Sequence, residues 1–122
     1  MPLHNKILIA DDDLEMLETL SSMLEEEGFA VIKAENGLEA VELARKELPA
    51  LVMLDIHMPK MDGLTACKEI KSDDVTRSVP VVMLTVEGSI NEIQQAITYG
   101  AKTYITKPSS KAEILKVLKS II

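Results

Sequence analysis

Short unbroken apolar runs alternate along this chain with longer stretches whose apolar residues recur every three to four positions. The clearest run is Leu51, Val52, Met53 and Leu54, which lies between Pro49 and Pro59 and stops at Asp55. A run so short and so enclosed reads as a strand buried on both faces, as in a parallel sheet, with Asp55 at its carboxyl end. Lys6 to Ala10, Phe29 to Ala34, Val81 to Leu84 and Thr103 to Thr106 are the other strand candidates. The stretches between them carry the helical period. Leu14, Leu17, Leu20 and Leu24 mark a first helix that stops at Gly28. After the Asn36-Gly37 turn a second runs from Leu38 to Leu48, with Ala40, Val41 and Ala44 inward, and Pro49 closes it. A third spans about Leu64 to Lys71 through Leu64, Cys67 and Ile70, and a fourth Ser89 to Tyr99 through Ile90, Ile93 and Ile97, capped by Gly100. The last, Lys111 to Ile122, is amphipathic through Ile114, Leu115, Leu118 and Ile121 or Ile122.

Five strand-helix units joined by short connections allow only parallel crossovers, so the expected class is α/β, a doubly wound sheet. With 122 residues the chain suits one domain, 1–122. No repeat or linker divides it. Its 47% apolar and 27% charged composition is that of an ordinary soluble protein. The net charge of -7 argues against direct contact with nucleic acid and against anionic membrane surfaces. Cys67 is the one cysteine, so no internal disulfide or paired-cysteine metal site can form. Met1 to Lys6 has no apolar signal core, and Ile7 to Ala10 is cut off by Asp11, Asp12 and Asp13; the expected location is cytoplasmic.

The polar residues that end the strands carry the candidate chemistry. Asp11 and Asp12 follow the first, Asp55 the third and Thr85 the fourth, while Lys107 comes just after the fifth. Asp55 alone is no more than a common turn residue. If the strands lie in the order 2-1-3-4-5, however, the ligand crevice falls between the first and third, and these groups converge there. Three carboxylates within about 4 Å would repel by roughly 1 to 4 kcal/mol per pair, which calls for a cation. Hard oxygen ligands completed by water suit Mg²⁺ better than zinc. Lys107 adds a point charge for a phosphate or carboxylate, and Thr85 a hydroxyl that can donate to an anionic oxygen.

Taken together, these residues resemble a response-regulator receiver domain of two-component signalling, similar to the chemotaxis regulators. The match covers essentially the whole chain: the Asp11-Asp12 pair, Asp55, Pro59 and Gly63 four and eight residues later, Thr85, and Lys107-Pro108. The resemblance implies a flavodoxin-like sheet of order 2-1-3-4-5 with five helices. It implies that Asp55 accepts a phosphoryl group from the phosphohistidine of a histidine kinase or a histidine phosphotransfer protein. Asp12, Asp55 and the backbone carbonyl of His57 would hold Mg²⁺, with Asp11 orienting metal-bound water. Lys107 would pair first with Asp55 and then with the phosphate, and a cis Lys107-Pro108 bond would turn it over the pocket. Thr85 and Tyr104 would form the switch, and the fourth helix, last strand and last helix the output surface. Such a chain is a signalling phosphoacceptor that catalyses only its own phosphorylation and dephosphorylation. Its partner downstream is a protein target or an effector domain; Ile122, ending the last helix, fits a stand-alone receiver or a domain edge equally.

Plainer readings stand beside these. Asp13 reads as a first-turn acid favoured by the helix dipole, and Cys67, Met53 and Met83 as packing. His57 serves through its backbone, His4 is a tail residue, and a half-buried strand tyrosine such as Tyr104 needs no switching role. Val86 is bulkier than the small residue often found after the family's threonine, and Ser109 stands where phenylalanine is common. His57 and Glu87 occupy variable positions flanking the pocket. Three other classes fit less well. A flavodoxin-type cofactor protein needs a phosphate cradle where Asp11 to Asp13 would repel phosphate. A haloacid-dehalogenase-type phosphatase has a second acid where His57 stands. An inert interaction module has no need of a full set of competent site residues.

Overall fold

The computed structural model describes residues 5–86, 90–107 and 109–122. The expected helix start at Ser89, as well as His4, lies outside them. The elements are β1 (Lys6–Ala10), α1 (Leu14–Glu26), β2 (Ala30–Ala34), α2 (Gly37–Glu47), β3 (Leu51–Asp55), α3 (Gly63–Ser72), β4 (Val81–Val86), α4 (Ile90–Thr98), β5 (Thr103–Lys107) and α5 (Lys111–Ile121). All four strand pairings are parallel, and the sheet order is β2-β1-β3-β4-β5, as expected.

The central strands have no polar face because helices cover both sides. Their side chains alternate between two cores. Leu8, Ala10, Val52, Leu54, Val81 and Met83 join the core packed with Ala40, Ala44, Cys67, Ile70 and Ala96 of α2, α3 and α4. Ile7, Ile9, Leu51, Met53, Val82, Leu84 and Ile105 join the other, with Leu17, Leu20 and Leu24 of α1 and Ile114 and Leu118 of α5. Cys67 is packing, as read: it is buried, and burial pushes its thiol up to about 11. Gly28 and Gly100, at φ 94° and 111°, follow α1 and α4 where stops were expected.

Several boundaries and faces differ from the sequence reading. β2 begins at Ala30 rather than Phe29, and α2 begins one residue earlier and ends at Glu47, leaving Leu48 as a left-handed cap at φ 45°. Leu14 is 56% exposed although it shares the spacing of the buried leucines, because it opens α1 at the solvent end of the sheet. In α4 only Ala96 is buried, while Ile90 and Ile97 are 65% and 46% exposed. A small residue lets the helix sit close to its neighbours, and of the isoleucine stripe Ile93 is half-buried while Ile90 and Ile97 face outward. Among the described residues no helix is long and apolar enough to cross a membrane.

Candidate functional site

Strand alternation assembles the site. Counting on by two from Ile9, Met53 and Ile105, all in the α1/α5 core, reaches Asp11, Asp55 and Lys107 at the carboxyl edge. The three meet there. Lys107 Nζ lies 2.8 Å from Asp11 Oδ2 and 3.2 Å from Asp55 Oδ1. The bond to Asp11 was not expected, since only Asp55 was named as a partner for the lysine. Lys107 is also inside β5, paired with Val86, rather than just after the strand.

The loop from β1 to α1 fixes the acids. The Asp11 amide donates to Ala34 O at 3.1 Å, and its carboxylate accepts from the Asp13 amide at 3.0 Å. Asp13 is the N-cap of α1, accepting from the amides of Glu15 and Met16 at 3.1 Å each. That use of Asp13 leaves Asp12, which is exposed, pointing its carboxylate toward its two neighbours: one oxygen each of Asp11, Asp12 and Asp55 lies within 4.8 Å of the others.

Asp11 is fully buried and Asp55 is only 8% exposed. Burial first, and then the charge of Asp11, push the Asp55 carboxyl up to about 6 against the opposing pull of Lys107. Burial pulls Lys107 down, but its hydrogen bond to Asp11 and the charges of Asp55 and Asp11 leave it above its ordinary value. One lysine thus serves two buried acids, and Asp12 adds a third negative charge. The donor set consists of hard carboxylate oxygens with excess negative charge, which fits a divalent cation such as Mg²⁺.

Beyond Asp55 the chain turns sharply. Gly63, the first residue of α3, donates to Ile56 O at 2.7 Å, and a Cβ built on it would lie 2.0 Å from the Asp55 carbonyl oxygen. Only glycine permits that approach, which accounts for its place eight residues after the acid. The His57 side chain is 70% exposed, and its Nε2 lies 3.1 Å from Glu92 Oε2 on α4. Sequence reading missed that pair because nothing local connects the two positions.

Thr85 counts on from Met83 and so belongs to the opposite face from Asp55; it is buried, with its hydroxyl donating to Val86 O at 3.1 Å. Tyr104 is paired with Met83 in register and is 45% exposed, its ring turned outward. Pro108 and Glu87 lie outside the described residues.

Residues 7–119 match the response regulator receiver domain. Protein PilH of Pseudomonas aeruginosa is 36% identical over 96% of this chain and 97% of its own length. The chain spans only 45–50% of several transcriptional regulators that are 36–39% identical to it. A response regulator from Chloroflexus aurantiacus superposes with a TM-score of 0.91 at 33% identity, each chain covered to 97%. The receiver domain of a Pseudomonas aeruginosa sensor histidine kinase superposes with a TM-score of 0.89 at 25% identity, again with 97% of each covered, and carries a magnesium ion in its active-site cleft. A match spanning nearly the whole sequence, on a sheet of this order with acids at this edge, leaves one conclusion: the chain belongs to the response regulator receiver domain family, whose general role is that of phosphoacceptor in two-component signalling.

Proposed function

We propose that this chain accepts a phosphoryl group on Asp55 from the phosphohistidine of a histidine kinase or a histidine phosphotransfer protein. The observation that carries the reading is a buried acid, raised in pKa, held 3.2 Å from a half-buried lysine and beside two further carboxylates. One Asp55 oxygen attacks phosphorus; the O–P bond forms as the N–P bond breaks, and the electron pair leaves with the imidazole nitrogen. Phosphoryl transfer needs little covalent work from a protein, so positioning and charge neutralisation dominate. Lys107 moves from Asp55 to a phosphate oxygen, and Asp11 keeps the ammonium in place. Asp12, Asp55 and the His57 backbone carbonyl would hold Mg²⁺, with Asp11 orienting its water. When bound, the ion supplies positive charge to the transferring oxygens. The related magnesium-bearing receiver supports this assignment.

Thr85 is the switch residue in this reading: its hydroxyl leaves Val86 O for a phosphate oxygen, and Tyr104 swings inward from its exposed position. The output surface is α4, β5 and α5, where Ile90, Ile97 and Tyr104, with Val86 at the neighbouring end of β4, expose apolar area that a downstream protein or effector domain could cover. The chain acts only on its own aspartyl phosphate, in the cytoplasm, and its charge of -7 leaves DNA contact to a partner or another domain.

Acetyl phosphate with Mg²⁺ tests the chemistry without a kinase. Intact-mass spectrometry is expected to show one phosphoryl adduct, lost in Asp55→Asn and without metal. An undiminished adduct in Asp55→Asn would sink the assignment.

A further inference from the structure

We infer that Gly37, on α2, is a positioning residue for the loop that carries the proposed metal ligand His57. The inference rests on the metal site just proposed. The loop runs from Ile56 to Asp62, and Gly63 closes it by donating to Ile56 O. Inside it, the Met61 amide donates to Pro59 O at 2.7 Å across Lys60, which has φ 67°. A bond from residue i to i+2 around a positive φ makes a strained γ-turn, and a lysine adopts it only where the surroundings hold it there.

Gly37 is what holds it. As the first residue of α2, it has an amide with no partner inside its own helix. That amide donates to Met61 O at 2.9 Å, so the start of α2 grips the loop immediately after the strained turn. The fit leaves no room for a side chain. A Cβ on Gly37 would lie 2.1 Å from Met61 O and 3.0 Å from Asp62 O, and both are backbone atoms that cannot rotate away. Any other residue must push the loop back by about an ångström, a displacement that costs far more at a site of fixed geometry than in ordinary packing. The turn at Lys60 transmits the push toward His57, because the loop is already closed on its far side by Gly63. Gly37 itself lies 18 residues before Asp55 in sequence and donates nothing to the acids, so its effect reaches the metal only through Met61.

The test compares Gly37→Ala with Gly28→Ala. Gly28 has φ 94° and open space around it, so alanine there strains the end of α1 without touching the loop. Half-saturating Mg²⁺ is read from amide shifts at Asp12 and Asp55. In Gly37→Ala it is expected to rise about tenfold or more, as when groups supporting a metal ligand are removed, and in Gly28→Ala to stay at the wild-type value. Equal half-saturation in Gly37→Ala and wild type, or an equal rise in both variants, would overturn the inference while leaving the metal site intact. No Mg²⁺ shifts in wild type would overturn the metal site and the inference with it. Should Gly37→Ala fail to fold, wild type decides: a Gly37 amide that shifts with the same half-saturation as Asp12 supports the grip, and one that stays still during the titration overturns it.

Discussion

The middle of the sheet and its carboxyl edge are built from the same strands by opposite rules. In the middle, Ile7, Leu8, Ile9, Val52, Met53 and Leu54 are fully buried, and every one contributes to a core. Two residues further on, the same strands bury Asp11 and Asp55 beside Lys107, a cluster that one lysine leaves short of positive charge. Around that edge lie the strained turn at Lys60 and the two backbone approaches that only Gly37 and Gly63 allow. The first region holds the fold; the second is held by it. Strain and unneutralised charge of this kind persist only where a surrounding scaffold over-determines them, and they mark the place where a ligand is expected to relieve them.

The contrast is broken most severely from the apolar side. Met53→Ala removes a fully buried side chain just beneath Asp55 and is expected to cost about 2 to 5 kcal/mol in urea unfolding, with or without Mg²⁺. A loss below 1 kcal/mol would mean that this part of the core is not tightly packed.

From the charged side the sign reverses. Asp55 is near 6 in the fold and about 4 in the unfolded chain, so between those values the folded state binds more protons. The stability from this group is fully present below about pH 4 and is lost as the pH rises through 6, by at most about 3 kcal/mol. Asp55→Asn is therefore expected to stabilise the metal-free protein at pH 7.5 and to flatten its pH dependence in that window. Mg²⁺ should raise the wild-type melting temperature at pH 7.5 and lose that effect toward pH 5, where protons compete for the acid. A metal-free Asp55→Asn protein less stable than wild type at pH 7.5 would contradict the account of the edge.

The smallest expected effect concerns Thr85, whose replacement by alanine should leave Mg²⁺ binding unchanged. A beryllofluoride adduct on Asp55 should shift amides in α4 and from Tyr104 to Ile114 in wild type. In Thr85→Ala those distant shifts should shrink while those at the pocket persist. Distant shifts of undiminished size would remove Thr85 from the switch.

Much of this is legible in the amino-acid sequence. The runs that became β1, β3 and β4 are apolar enough to be read as buried strands, and an acid or threonine at the end of each is a local signal. Asp11, Asp12, Asp55 and Lys107 could be named because a parallel sheet brings its strand ends to one edge whatever the side chains do. The Lys107 to Asp11 bond could not, since it joins residues 96 apart and the spacing favours neither acid. The outward face of α4 was hidden for a related reason: periodicity shows that Ile90, Ile93 and Ile97 share a stripe but not which way it faces. Lys60 gives no sign of its left-handed φ, because lysine rarely adopts it and the loop around it is held at Met61 by Gly37, which lies more than twenty residues away in sequence, and at Ile56 by Gly63. Gly37 itself reads as half of an ordinary Asn-Gly turn, and only the position of Met61 O makes its missing side chain matter.

The central claim, that the edge exists to place a phosphoryl group on one acid, is tested most directly by locating that group. The protein is treated with acetyl phosphate and Mg²⁺, then with borohydride, which reduces an aspartyl phosphate to homoserine, and is mapped by peptide mass spectrometry. Homoserine at position 55 and nowhere else is the expected result. Homoserine at position 11 or 12, or none at 55 in a protein whose intact mass shows the phosphoryl adduct, would contradict it.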